Sequence, residues 1–444
     1  MGVIQTCGMT SPQTGLVRAI GRWSLMALTV NSVIGSGVFG LPAIVAGLLG
    51  KDSVLAVLIA GAAMGVIMAC FAEVASQFAE AGGPYLYART AFGRLMGILV
   101  GWMLYLAQTA APAANANLFV IYLAEFWPAA KHFWLRVLIL TLLIWGLAFI
   151  NILGAKQGTA VSNVFTIAKI LPLLMVVLAG AMFTIVRPAP LGVTEPATST
   201  VWLQAMVLLV FYYGGFESAL APMSEARNPR RDSVFALFGA LAVCATIYAL
   251  VQWVVVGVLG SQAITDRPLA EVARVTMGNR GAALVAVGAL VSVYGYLSAK
   301  LLGMPRVTFA LAERGDLPHW FAMVSPRFHT PWVSILVYAA VVWGLALSGS
   351  FAWNVTLSVV ARLFFYGVIC AALIALRSRQ PGAARLRLPA GSLLAVAGIL
   401  IALVLAIQPL AAAGDRGKWL IVAAAMGGAI LNWVWARRAD RVKA

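Results

Sequence analysis

Thr29-Val-Asn-Ser-Val-Ile-Gly-Ser-Gly-Val-Phe-Gly-Leu-Pro42 sits inside an apolar run of residues 24–49. A run of that length is enough to span a bilayer as a helix, which takes about 20 apolar residues. Its centre is Gly35-Ser36-Gly37. Glycine costs about 1 kcal/mol relative to alanine in a helix interior, so the helix is weakest there. Unwound backbone is tolerated at membrane depth only where it lines a protein cavity. The stretch therefore reads as a membrane helix broken around a site, with close helix packing on small residues as the plainer alternative.

The surrounding chain supports a membrane setting. Of its 444 residues, 62% are hydrophobic and 10% charged. Soluble domains carry about 25% charged residues, and a water-soluble core has no use for this much apolar surface. Uncharged apolar runs fall at roughly 24–49, 54–78, 95–125, 135–151, 158–185, 201–222, 233–260, 281–304, 331–348, 353–376, 389–412 and 418–436. They are continuous rather than alternating, which predicts spanning helices and not a barrel. With no long hydrophilic stretch, residues 1–444 are expected to form a single transmembrane domain.

A net charge of +17 would suit a nucleic-acid binder, but its distribution does not. With both termini placed in the cytoplasm, the Lys and Arg of the inner loops outnumber those of the outer loops by about two to one, as the positive-inside rule requires. The charge is topological. The polar segments 79–94, 223–233 and 305–331 then face the cytoplasm, and the basic C-terminal tail meets the anionic inner leaflet. The N-terminal apolar run extends past the length of a signal peptide and reads as a retained first helix. Cys7, Cys70, Cys244 and Cys370 have no metal-ligand spacing, and His132, His319 and His329 fall in loops. No cofactor or metal is expected, and no cluster for enzyme chemistry. A channel would want rings of charge or carbonyls along an open pore.

A second run, Leu209-Val-Phe-Tyr-Tyr-Gly-Gly-Phe-Glu217, is interrupted in the same way. It lies in the sixth span, and spans 1 and 6 each open a set of five. Interrupted segments at corresponding positions of two halves point to a transporter's binding site. A broken helix offers free amides, which suit a carboxylate, and free carbonyls, which suit an ammonium. Two such breaks match the two ends of an α-amino acid.

Four motifs carry a family resemblance. Gly35-Ser-Gly-Val-Phe-Gly-Leu-Pro42, Ala79-Glu-Ala-Gly-Gly-Pro-Tyr-Leu-Tyr-Ala-Arg89, Tyr213-Gly-Gly-Phe-Glu217 followed by Glu225-Ala-Arg-Asn-Pro-Arg230, and Arg306 through Pro318 occur in that order. Over essentially its whole length the chain resembles the amino acid–polyamine–organocation permease family. The resemblance implies an all-α membrane protein of about 12 transmembrane helices with the LeuT-type inverted 5+5 repeat and broken helices 1 and 6. Repeat one would cover about 24–185, repeat two about 201–376, and two additional helices about 389–436. It also implies roles. Gly35, Ser36 and Gly37 would receive the substrate carboxylate, chiefly through the amides of Ser36 and Gly37. Carbonyls near Val33 and Ile34, with those around Phe211, Gly214 and Gly215, would accept from the amino group. Phe211 matches an aromatic that closes over substrate from outside, unless it is ordinary core packing.

Charged residues inside spans are functional candidates by default. Lys169 matches the fifth-helix lysine of sodium-independent members, where sodium-coupled relatives hold a cation; the alternative is snorkelling to an interface. Glu217 either couples protons or braces the unwound segment. Lys300 falls near the position of a pocket-lining aromatic in the related arginine–agmatine antiporter. It either lines the pocket and repels cationic side chains, pairs with Glu217, or faces elsewhere. Arg362 opens the tenth span, as a gate in the outer vestibule or in an ion pair with a loop carboxylate. In the third span, Gln108 and Asn115 are further polar contacts.

The expectation is secondary active transport of amino acids by alternating access across the cytoplasmic (inner) membrane. It is sodium-independent, as proton symport or exchange, with neutral or broad substrates. The rival is a polyamine or cationic amino acid antiporter, against which Lys300 and the scarcity of intramembrane carboxylates count. The expected partners are an amino acid substrate, protons as candidate coupling ion and the lipid bilayer. A homodimer is an open option, and no nucleic acid is expected.

Overall fold

The structure is a computed structural model describing residues 21–78, 83–154, 159–187, 197–220, 229–260, 265–313, 315–379, 386–411 and 416–443. Ala79–Gly82 of the second motif, Glu225–Asn228 of the third, Arg314 of the fourth and Cys7 lie outside the described residues.

The first span is two helices, α1 (Arg22–Val33) and α2 (Gly37–Leu49), separated by Ile34, Gly35 and Ser36. There follow α3 (Ser53–Ala75), α4 (Gly83–Phe92), α5 (Arg94–Leu123), α6 (Phe133–Ile152) and α7 (Thr159–Val186). The sixth span is α8 (Ser199–Tyr213) with a short 3-10 turn at Phe216–Ala219. Then come α9 (Pro229–Leu259), α10 (Pro268–Glu313), α11 (Trp332–Ser348), α12 (Phe351–Arg379), α13 (Gly391–Ala411) and α14 (Arg416–Lys443). Ten segments are long and apolar enough to cross a membrane when Gly37–Ala75 is counted as one, and α11 is an apolar helix of 17 residues. Gly50, at φ +53°, divides Gly37–Ala75, and with α1 completing the first span and α11 counted, the described residues hold twelve candidate crossings.

The chain is therefore an all-α membrane protein, and its order of spans, broken at the first and sixth, is that of the LeuT-type fold. The outer surface agrees with a lipid solvent. On α7, Leu171, Leu174, Leu178, Met182 and Ile185 recur at helical spacing and are exposed. Inside, α1 packs on α9, α2 on α8, and α3 on both α8 and α9, while α5 packs against α10, α11, α12 and α14. The two breaks meet between these groups, because α1 also touches the turn at 216–219.

Two elements differ from the sequence reading. The polar segment 79–94 contains the helix α4, whose buried face is Tyr85, Tyr87, Ala88 and Ala91. The eighth span, expected at 281–304, belongs to the longer α10, which bends at Gly278 (φ +72°) and continues to Glu313. The helix α4 and the ends of α10 beyond residues 281–304 mix polar with apolar residues, so hydropathy alone reads them as loop.

Candidate functional site

The break in the first span is a change of backbone, not a bend. Ile34 is extended (φ −70°, ψ 94°), and Ser36 starts α2 as its N-cap. The amides of Phe39 and Gly40 donate to the Ser36 carbonyl at 3.0 and 3.1 Å. Those of Gly37 and Val38 open the helix with no preceding turn to accept them. This is the electropositive end of α2. The Ser36 hydroxyl is buried and has no hydrogen-bond partner among the described residues. The opening has aromatic walls. A Cβ on Gly35 would lie 3.7 Å from the Tyr296 ring, and one on Gly37 would lie 2.9 Å from the Tyr212 ring and 3.5 Å from Phe211.

The break in the sixth span needs its glycines for a tertiary reason. Gly215 has φ +114°, and a Cβ there would meet the Ser32 carbonyl oxygen of α1 at 2.3 Å. A Cβ on Gly214 would fall 1.4 Å from Nη1 of Arg362. Only a residue without a side chain lets the α1 backbone and the Arg362 guanidinium approach this closely.

The carbonyls at the end of α1 already have donors. Lys169 Nζ, from α7, donates to the carbonyls of Asn31 (3.2 Å) and Ile34 (3.1 Å), and the Tyr248 hydroxyl donates to that of Val33 (3.2 Å). The sequence reading kept the Val33 and Ile34 carbonyls for substrate. Each retains one lone pair for a further donor. The Phe211 carbonyl likewise accepts the Gly214 amide at 3.2 Å. Lys169 is buried rather than reaching an interface, and satisfies the negative end of α1.

Glu217 is the hub of the second break. Its Oε1 accepts from Gln108 Nε2 (3.1 Å) and lies 3.4 Å from Arg362 Nη2, and its Oε2 accepts from the Gly215 amide (2.9 Å) and the Tyr366 hydroxyl (3.2 Å). Arg362 thus pairs with the carboxylate of the unwound segment and not with one in a loop. It lies well inside α12, its side chain is 2% exposed, and its ion pair is with Glu217 in the unwound segment. Its Nε and Nη1 have no hydrogen-bond partner among the described residues, and its guanidinium carbon lies 5.9 Å from the Phe211 ring centroid.

Lys300 does not pair with Glu217. Its Nζ donates to Gln108 Oε1 (2.8 Å) and Ser218 Oγ (2.8 Å), so the Gln108 amide stands between the ammonium and the carboxylate. Tyr296, one turn earlier on α10, is 5.4 Å from the ammonium. Asn115 turns its amide to the Ala111 carbonyl (2.8 Å) and contributes nothing to this network. Sequence reasoning missed Tyr248, Tyr296, Tyr366 and Ser218. The tyrosines carried a signal, since a hydroxyl inside an apolar span must find a partner.

Two of the quoted motifs meet beyond the site. Asp316 of the fourth motif is 2% exposed and accepts from Arg89 (2.8 Å) and Tyr85 of the second, and from Arg94 Nε (2.8 Å). Burial and the Asp316 carboxylate push the Tyr85 hydroxyl up to about 12, so it remains a donor at neutral pH.

The Amino acid permease family model matches residues 20–431. The chain belongs to that family. The permease is 28% identical over 391 residues to the serine/threonine exchanger SteT of Bacillus subtilis, covering 85% of this chain and 87% of the relative. It is 26% identical to the branched-chain amino acid permease BcaP of the same organism, covering 84% and 83%. It is 29% identical to a chloroplastic cationic amino acid transporter 9 of Arabidopsis thaliana, covering 72% and 60%. The family and these relatives are transporters, not enzymes, and the permease is a multi-pass membrane protein of an amino acid transport family. The three names differ in substrate, so kinship does not choose one.

Proposed function

We propose that the permease is a sodium-independent carrier of α-amino acids, neutral or broad in range, working by alternating access as a proton symporter or exchanger. The observation that carries this reading is Lys169, whose ammonium donates to the Asn31 and Ile34 carbonyls at the end of α1. A fixed cation there does the electrostatic work that a bound sodium ion would otherwise do at exposed carbonyls. The substrate carboxylate then lies against the Ser36 and Gly37 amides, and its ammonium against the carbonyls of the two breaks around Val33, Ile34, Phe211, Gly214 and Gly215. Phe211, buried beside Gly37, closes the site. Glu217 and Arg362 hold the second break together and carry the coupling or gating change.

In this reading repeats of about 24–185 and 201–376 move against each other, in the cytoplasmic membrane with both termini inside. Against the cationic or polyamine alternative stand three cations near the two breaks, Lys169 on the α1 carbonyls, Lys300 on Gln108 and Ser218, and Arg362 on Glu217. Purified permease in proteoliposomes, given a panel of labelled amino acids and amines, tests the proposal. Saturable, sodium-independent amino acid uptake with counterflow is expected. Uptake of amines alone, or a strict need for sodium, overturns it.

A further inference from the structure

The charges around the two breaks do not balance. Glu217 is fully engaged by Arg362, Gln108, Tyr366 and the Gly215 amide. Lys169 is engaged by α1 carbonyls. Lys300 is left with two neutral acceptors, Gln108 Oε1 and Ser218 Oγ, and has no carboxylate within ion-pair distance among the described residues. An ammonium has three protons to donate, and two of them are used here. Its side chain keeps some exposure, and Ser218, to which it donates, is exposed.

Lys300 is also close to the first break. It stands over Tyr296, whose ring is 3.7 Å from where a Cβ on Gly35 would be. An amino acid held by its carboxylate at the α2 amides and by its ammonium at the facing carbonyls projects its side chain away from both. Tyr296 and Lys300 lie on α10, the wall that neither end of the substrate uses. A partly desolvated ammonium without a carboxylate in direct contact is a standing electrostatic cost, and an anionic ligand group lowers it. The bond between the two would be charge-assisted on both sides, roughly twice as strong as a neutral one.

We propose that Lys300 is a specificity residue that selects amino acids bearing a side-chain carboxylate, so that within the broad range proposed above the preferred substrates are acidic. The inference rests on the amino acid carrier reading. Glutamine is the matched control, because it has glutamate's shape without the charge. It leaves the Lys300 ammonium with one more neutral acceptor, as Gln108 already does.

The test is competition against a labelled amino acid taken up by the permease in proteoliposomes, using glutamate, glutamine, aspartate, asparagine and arginine. Glutamate is expected to compete about tenfold or more better than glutamine, aspartate likewise over asparagine, and arginine least of all. In Lys300→Gln the glutamate-to-glutamine ratio falls toward one, and in Lys300→Arg it stays above one. The comparison of glutamate with glutamine needs no variant, so it stands even where a substitution fails to fold. Uptake of neutral amino acids with glutamate and glutamine equal overturns the specificity inference and leaves the carrier reading intact. No uptake of any amino acid overturns both.

Discussion

Glu217→Gln replaces one carboxylate oxygen with an NH2 group and keeps the volume of the side chain. Its effect follows from the four donors around Glu217. Arg362 and Gln108 address Oε1, and Tyr366 and the Gly215 amide address Oε2. Whichever way the new amide turns, two donors lose their acceptor and meet another donor. A buried donor left unsatisfied costs about 1–3 kcal/mol. The charge term acts in the same direction. Arg362 is 2% exposed, its Nε and Nη1 have no partner among the described residues, and Glu217 is the carboxylate it pairs with. Breaking a buried pair by removing one partner costs about 3–5 kcal/mol, so a loss of about 4 kcal/mol is expected. The measurement is the unfolding free energy of purified protein in mixed micelles. The double variant Glu217→Gln with Arg362→Met removes the stranded charge as well, and is expected to recover more than half of the loss. A single variant within about 1 kcal/mol of the parent, at the level of an exposed pair, would refute the reasoning. So would a double variant as unstable as the two single changes added together.

Lys169→Met removes the donor to the Asn31 and Ile34 carbonyls and is expected to abolish uptake, while the parent protein is unaffected when sodium is replaced by choline; uptake measured in both media checks it. Gly214→Ala would put a Cβ 1.4 Å from Arg362 and displace the guanidinium from Glu217. It is expected to cost at least the roughly 1–3 kcal/mol of ordinary overpacking, read as a lower midpoint of thermal unfolding in detergent. Asp316→Asn loosens α4 from the segment that follows α10, and because the Arg89 and Arg94 side chains are 40% and 25% exposed the stability loss should stay near 1 kcal/mol. The expected signature is faster amide hydrogen exchange across residues 83–92, with the rest of the bundle unchanged.

The breaks at Gly35-Ser36-Gly37 and Gly214-Gly215 were legible in the sequence because glycine is conspicuous inside an apolar run. Why the second needs glycine was not legible. Ser32 and Arg362 approach it from other parts of the fold, and such contacts leave no local pattern. Lys169, Glu217, Lys300 and Arg362 could each be picked out because a charge in an apolar span stands out. Their partners could not, since pairing depends on which faces of four helices meet. For Arg362 the sequence offers a loop carboxylate as partner, where the structure has the buried pair with Glu217. The spans were readable from apolar length. The helix α4 and the extension of α10 were not, because a short helix with one buried face has the average polarity of a loop.

In the proposed binding mode the break at Gly35-Ser36-Gly37 receives the carboxylate of an amino acid whose ammonium faces the carbonyls of the two breaks. This mode is tested most directly by competition against uptake of the best amino acid of the panel, using that amino acid, its carboxamide and its N-acetyl derivative. The carboxamide cannot present an anion to the α2 amides, and the acetylated compound cannot present an ammonium to the carbonyls. Strong competition by the parent amino acid and none by either derivative is expected at the same concentration. Competition by either derivative equal to that of the parent compound would contradict it.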